Sequence, residues 1–549
     1  MINFEEYFIC GEASSQQREF LKKIMDLGLS FMSGATRDNL VLRYIDNDML
    51  KTYFSEPLPM SGGNLDEIYT ILRDKVVKFS IAQSDPRYLA FPDSGNSLAT
   101  LSADILAAFL NQNLIAVDRS APSATFVELQ LILWLRELIG YSTHSLRDLP
   151  NLNEVGGMWT SGGNMSNYVA VLVALHQRFP EIMQAGLQSL DRRPVIIQAK
   201  EIAHFSFAGA ATALGLGSES IMWVKANPDY STDTESVLEA LRNCPDDKKP
   251  FMVVCVAGNC RTACFDNIKK MREICDSHGL WLHVDACHGG NLLFSPELRK
   301  QFLDGIEQAD SVSLDPHKGL FLTYPSSYVL FRDPKCLGKL CRYPEKVLDS
   351  SCLDIGLITP FFGSRGFQSL KLWLLIKHLG LNGLRHVVEA RQKLNHKITK
   401  MLEETGYFTF FNQNYFYRLA FVFCPKHLRV HIPQIVRDEE DRIRMRNIIS
   451  SYTREFCNTL YKSGEVVFDL FSLQDLNDKL CLGTKEGYNT MGMAIGHSLI
   501  PEKIIKRIKD KIRRVGKDLN SRMLEDVEQI HPITIEMNSE SVSGPAGWK

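Results

Sequence analysis

Between about residues 120 and 335, short apolar runs rich in β-branched residues alternate with segments of helical spacing, and no other property constrains the fold as strongly. The runs are Val195-Ile196-Ile197, Ile221-Met222-Trp223-Val224, Phe251-Met252-Val253-Val254-Cys255-Val256, Trp281-Leu282-His283-Val284 and Ser311-Val312-Ser313-Leu314. Strands apolar at nearly every position are strands covered on both faces. The alternation predicts an α/β protein with a mostly parallel sheet covered by helices.

Either side of this core the pattern changes. Phe20, Ile24, Met25, Leu27, Leu29 and Phe31 carry amphipathic helical spacing, and the break Pro57-Leu58-Pro59-Met60-Ser61-Gly62-Gly63 precedes another helical pattern from Leu65. Residues 1–110 read as an N-terminal helical segment and 111–382 as the large domain. A long helical stretch from Leu384 to Thr405, then strand-like runs at Arg418–Phe423 and Val466–Phe471, make 383–527 a smaller α+β C-terminal domain. The polar residues of 528–549 have little to bury and read as a mobile tail.

A length of 549 residues suits two or three domains. A formal net charge of -2 offers no electrostatic reason to expect nucleic acid. The opening Met1-Ile2-Asn3-Phe4-Glu5-Glu6 lacks the basic and apolar regions of a secretory signal. The most apolar stretches are broken by Asn111, Gln112 and Asn113 or by Lys371, Lys377 and His378, so no membrane span is expected. Thirteen cysteines without CxxC or metal-ligand spacing read as reduced thiols, which predicts a cytoplasmic protein.

In open parallel sheets, ligands lie at the carboxyl ends of strands, so polar residues that follow apolar runs carry the functional signal. Lys318, in Asp315-Pro316-His317-Lys318, is a candidate Schiff-base nucleophile if burial or a neighbouring cation disfavours its ammonium form. Taken alone it reads as an ordinary solvated lysine, since lysine is almost never fully buried without a partner. The loop Trp159-Thr160-Ser161-Gly162-Gly163-Asn164-Met165-Ser166-Asn167 runs into a helical pattern whose free amides suit a phosphate, although most such loops are only turns and caps. Asp285 after Val284 suits a pyridine nitrogen or a helix N-cap, and His204 suits ring stacking or an ordinary core contact. His283 and His288 lack the spacing of a metal hydrolase.

In order and spacing these segments resemble the group II pyridoxal phosphate (PLP)-dependent amino-acid decarboxylases, which include aromatic amino-acid and glutamate decarboxylases. Further matches are Asp85-Pro86-Arg87-Tyr88, Pro122 with Glu128 and Trp134-Leu135, and Arg365 with Ser369-Leu370-Lys371-Leu372-Trp373. The resemblance implies the fold type I, aspartate aminotransferase-like architecture and a homodimer with shared active sites. It also implies that Lys318 binds the cofactor covalently, that Asp285 pairs with the pyridine nitrogen and that His204 stacks on the ring. Gly163, Asn164 and His317 would contact the phosphate, with Cys287 against the ring where the family commonly has alanine. The reaction implied converts an L-amino acid to its amine and carbon dioxide.

Three departures bear on the reaction. A family tyrosine on a loop after the lysine usually returns the last proton, but here Gly356-Leu357-Ile358-Thr359-Pro360-Phe361-Phe362-Gly363 has phenylalanine, which leaves Tyr343, water or His204 to substitute. No arginine stands near Met491-Gly492-Met493, where the family often holds the substrate carboxylate, and Asn164 replaces the usual Ser, Thr or Ala. Decarboxylation coupled to oxidative deamination, giving an aldehyde, is therefore one alternative. A carbon-carbon lyase and an inactive PLP-fold partner protein are others. Tyr88, Phe91, Pro92 and Phe361 are the candidate substrate contacts, and their apolar bulk favours an aromatic or branched apolar amino acid.

Overall fold

A computed structural model describes residues 8–341, 343–497 and 499–530, so all but the first three residues of the expected mobile tail lie outside the described residues. Twelve strands occur among them: β1 (Tyr88–Leu89), β2 (Gly157–Thr160), β3 (Arg193–Ala199), β4 (Ile221–Val224), β5 (Lys248–Val256), β6 (Trp281–Ala286), β7 (Ser311–Leu314), β8 (Ser327–Phe331), β9 (Phe408–Phe410), β10 (Arg418–Phe423), β11 (Val467–Gln474) and β12 (Gly487–Ala494).

Seven of these form the large sheet, in the order β2-β8-β7-β6-β5-β3-β4. The pairs from β7 through β6, β5 and β3 to β4 are parallel, as the apolar alternation predicts. β8 runs antiparallel to both β7 and β2. The β7–β8 connection carries Asp315-Pro316-His317-Lys318 with only a short 3₁₀ turn, and without a crossover helix the chain returns antiparallel. Every residue of β2, β6, β7 and β8 is buried.

The small sheet has the order β1-β11-β12-β10-β9. Its β1 comes from the expected N-terminal segment 1–110 and pairs parallel with β11, Tyr88 opposite Val467, so that segment is stitched into the C-terminal sheet. A two-residue strand is too short to show alternation, which is why the sequence pattern does not reveal it. The helical stretch Leu370–Glu403 breaks into two helices across a kink at Gly380 (φ +62°, ψ 177°), just before the expected boundary at 382/383. That conformation is open to glycine without strain. All thirteen cysteines are free thiols. Among the described residues no helix is long and apolar enough to cross a membrane, and no cluster of His, Cys, Asp or Glu could hold a metal ion.

Candidate active site

A cavity of about 230 Å³ gathers Gly163, Asn164, His204, Asp285, Cys287, His317 and Lys318 around one space. Residues far apart in the chain meet there because β6 and β7 are neighbours and their carboxyl ends, with the loop before the helix Gly163–Arg178, open on the same side. Asn167, Gln198, His288, Asp315 and Tyr324 also line it.

Lys318 departs from the expected electrostatics. Burial works against its ammonium, yet Asp315, joined by Cys287 and Asp285, outweighs burial and holds the lysine well above its ordinary value. The Nζ–Oδ2 separation is 2.9 Å and the Asp315 side chain is fully buried. The amine is therefore stored as an ion pair, not presented as a free base, and Asp315 is the nearest group to take its proton. Asp315 is anchored in turn: the Ser327 hydroxyl donates to Oδ1 and lies 2.9 Å from the Ser166 hydroxyl, which lies 2.6 Å from that of Thr160.

Asp285 ends a polar relay that runs out of the core. Trp281, His283 and Asp285 share one face of β6 by strand periodicity. The Trp281 indole N–H donates to Ser311 Oγ (2.9 Å), which also lies 2.8 Å from His283 Nδ1. Asn167 turns its Nδ2 to Asp285 and so presents Oδ1, an acceptor only, to His283 Nε2 (3.1 Å), which places the His283 proton on Nε2. Asn167 Nδ2 then donates to Asp285 Oδ2 (2.9 Å) and to Ser206 Oγ (3.0 Å). The Cys287 backbone N–H occupies Asp285 Oδ1 (3.1 Å). Burial opposes the Asp285 carboxylate, but His204, His283, the Cys287 side chain and Lys318 together hold it below its ordinary value. The Ser206 hydroxyl lies 2.8 Å from His204 Nδ1, and burial lowers the His204 value. Burial also pushes the Cys287 thiol well up.

At the other end, the helix Gly163–Arg178 begins at Gly162 with no side-chain cap. Its first amides are free for an anion and aligned with the positive end of the helix dipole. A Cβ on Gly163 would lie 2.5 Å from Cys287 Sγ and 2.6 Å from Asp315 Oδ2, so only glycine lets the helix start this close to Lys318. An amine, a carboxylate held ionised and an uncapped helix N-terminus around one cavity fit an aldehyde, a pyridine nitrogen and a phosphate.

The family model of the pyridoxal-dependent decarboxylase conserved domain matches residues 48–423. The chain belongs to the pyridoxal-dependent decarboxylase family. It is similar to the cysteine sulfinic acid decarboxylase of Rattus norvegicus, 29% identical over 409 residues, covering 72% of this chain and 78% of the relative. It is also similar to the aromatic-L-amino-acid decarboxylase of Bacillus atrophaeus, 29% identical over 385 residues, covering 69% and 75%. Its fold is shared with the crystal structure of mouse CSAD in apo form: TM-score 0.78, 24% identity, covering 91% of this chain and 98% of that one.

The decarboxylase uses PLP, and when bound the cofactor supplies an electron sink for the bond broken at the substrate Cα. The chain's own residues set the conditions. Asp315 stands ready to take the Lys318 proton, Asp285 is oriented by the Asn167 relay, and the Gly163 helix start would offer its free amides to the phosphate. The sequence pattern does not single out Asn167, Ser311 or Trp281, although two polar residues, His283 and Asp285, at alternate positions of a buried strand are a usable signal.

The remaining predicted residues lie outside the cavity of a single chain. Tyr88 is buried in β1 and Pro92 is buried beneath Gly496. Phe91 and Tyr343 are exposed, the latter with Lys346 Nζ 5.2 Å from its ring centroid. Phe361 packs edge-on against Tyr168 at 4.6 Å and keeps an exposed edge.

Proposed function

We propose that this decarboxylase acts on an aromatic or branched apolar L-amino acid, releasing carbon dioxide and the corresponding amine. The observation that carries this reading is the charge of the cavity lining: Lys318 is its one cationic side chain among the described residues. His204, His288 and His317 all have values lowered by burial, so they are neutral near pH 7. A substrate with an acidic side chain would have no second cation to meet, and burying an unpaired carboxylate costs several kcal/mol, of order 2 or more. Ile202, Phe205 and Val256 give the lining apolar area instead.

In this reading Lys318 bonds the cofactor, Asp285 meets its pyridine nitrogen and His204 stacks on the ring. Cys287 lies against the ring, and Gly163, Asn164 and His317 contact the phosphate. The active form is a cytoplasmic homodimer with shared sites, to which Tyr88, Phe91, Pro92, Tyr343 and Phe361 contribute near the substrate. The helix Leu98–Leu110 supports the dimer, because Leu98, Ile105, Leu106, Phe109 and Leu110 leave an exposed apolar face. Amine and carbon dioxide release from a panel of amino acids, cysteine sulfinate and glutamate included, tests the reading. An aromatic or branched apolar amino acid is expected to be preferred; preference for an acidic one would overturn it.

A further inference from the structure

We propose that Tyr324, backed by Asp93, donates the proton that completes the reaction at the former Cα, the task for which Phe361 has no proton to give. This rests on the decarboxylase reading above. Tyr324 is the one tyrosine lining the Lys318 cavity among the described residues. Its ring centroid lies 4.1 Å from that of His317, the residue beside Lys318. The phenol lies beside Asp93, close enough for the two to act on each other's charge, and Asp93 has a buried side chain whose Oδ1 has no hydrogen-bond partner among the described residues. Tyr324 is 53% exposed, so the phenol bridges the cavity and solvent.

The other proton carriers of the cavity are worse placed. The three lining histidines are neutral near pH 7, and His288 and His317 spend Nδ1 on the Tyr417 hydroxyl and the Ser326 carbonyl region respectively. Cys287 is buried and its thiol lies 3.4 Å from Ser313 Oγ. Lys318 is held by Asp315. Burial, with Asp93 beside it, pushes the Tyr324 phenol well up, so it stays protonated through the working range and recovers a lost proton readily. Burial raises Asp93 to about 6, with Lys318, the Tyr324 phenol, Asp315 and Arg391 acting on it.

The step balances. Loss of carbon dioxide leaves the bonding electron pair behind; the Tyr324 O–H bond breaks, a C–H bond forms, and the phenolate takes a proton from water at the cavity mouth. One solvent proton is consumed for each carbon dioxide released.

The test uses the full-length, PLP-loaded protein and an amino acid that the wild type decarboxylates. Tyr324→Phe is expected to lower amine formation about 100-fold or more, the scale of a lost general acid, with carbon dioxide in excess of amine. Its PLP affinity, titrated by protein fluorescence on the cofactor-free chain, should stay within about threefold of wild type, 0.7 kcal/mol by the binding constant. Amine at the wild-type rate and equal to carbon dioxide would overturn the assignment, as would loss of amine in Tyr343→Phe with none in Tyr324→Phe. Asp93→Asn keeps the phenol and gives a second reading if Tyr324→Phe does not fold. It should remove an inflection near pH 6 from kcat, and an inflection unchanged in this variant would overturn the part given to Asp93. A wild type that binds PLP and releases no carbon dioxide from any amino acid would overturn the decarboxylase reading itself, and this assignment with it.

Discussion

Asn167→Ala is the substitution that most directly separates the Asp285 relay from ordinary packing. Asn167 is buried, and its amide is the link between the neutral His283 and the ionised Asp285. Removing it takes a 2.9 Å donor from a carboxylate, a bond worth about 1.5–3 kcal/mol when one partner is charged. It also leaves His283 Nε2–H without its acceptor in a dry site. Asp285 keeps the Cys287 N–H on Oδ1 and a Ser313 hydroxyl at 3.4 Å, so the carboxylate is weakened and loosened rather than abolished.

If most of that loss falls on the orientation and ionisation of Asp285, cofactor affinity should fall about 10-fold to 150-fold. Titrating the cofactor-free variant with PLP, by protein fluorescence and visible absorption, measures it. His283→Gln should weaken binding less, and the double variant should cost less than the sum of the two, because both changes break one network. A folded Asn167→Ala protein with Kd within threefold of wild type, or a strictly additive double variant, would refute the relay.

Other outcomes follow from the same site. Lys318→Ala should bind PLP without the visible absorption of the lysine-bound cofactor, and an unchanged spectrum would remove Lys318 from its proposed role. Gly163→Ala forces a methyl to within 2.5 Å of Cys287 Sγ and 2.6 Å of Asp315 Oδ2, and should lower PLP affinity more than the same change at the open helical Gly209. His283, pushed down to about 4 by burial, is neutral in the folded chain while the unfolded chain titrates near 6.5. Its contribution to stability is therefore full above about pH 6.5 and lost as pH falls toward 4, by about 3 kcal/mol at most, measured as a denaturant midpoint that His283→Gln makes less pH-dependent. Glu128→Gln strands the buried Arg365 guanidinium, a loss of about 3–5 kcal/mol, and should speed proteolysis of the 341–369 segment.

What could be read from sequence and what could not divide along a physical line. Lys318, Asp285 and the Gly163 loop are visible because each follows an apolar run, and the carboxyl ends of parallel strands must lie together whatever the details of packing. Asn167 sits one helical turn beyond Gly163, and its role depends on how that helix rolls over β6, which no local pattern encodes. The same holds for β1: two residues carry no periodicity, and only the tertiary pairing with Val467 and Phe468 makes them a strand.

The lysine shows the limit most clearly. Burial alone argues that an amine near a strand end should lose its proton, and that argument fails here because Asp315, three residues earlier, is brought to 2.9 Å by the 3₁₀ turn Pro316–Lys318. A turn of that kind places residues i and i+3 on one side, so the segment that identifies the lysine also supplies its counter-ion. The same geometry makes the aspartate the lysine's proton acceptor and Ser327, Ser166 and Thr160 the anchors that keep it there. Reactivity at Lys318 is thus controlled by a carboxylate whose position depends on β8 returning antiparallel, since Ser327 begins that strand. The antiparallel return and the poise of the lysine are one structural fact.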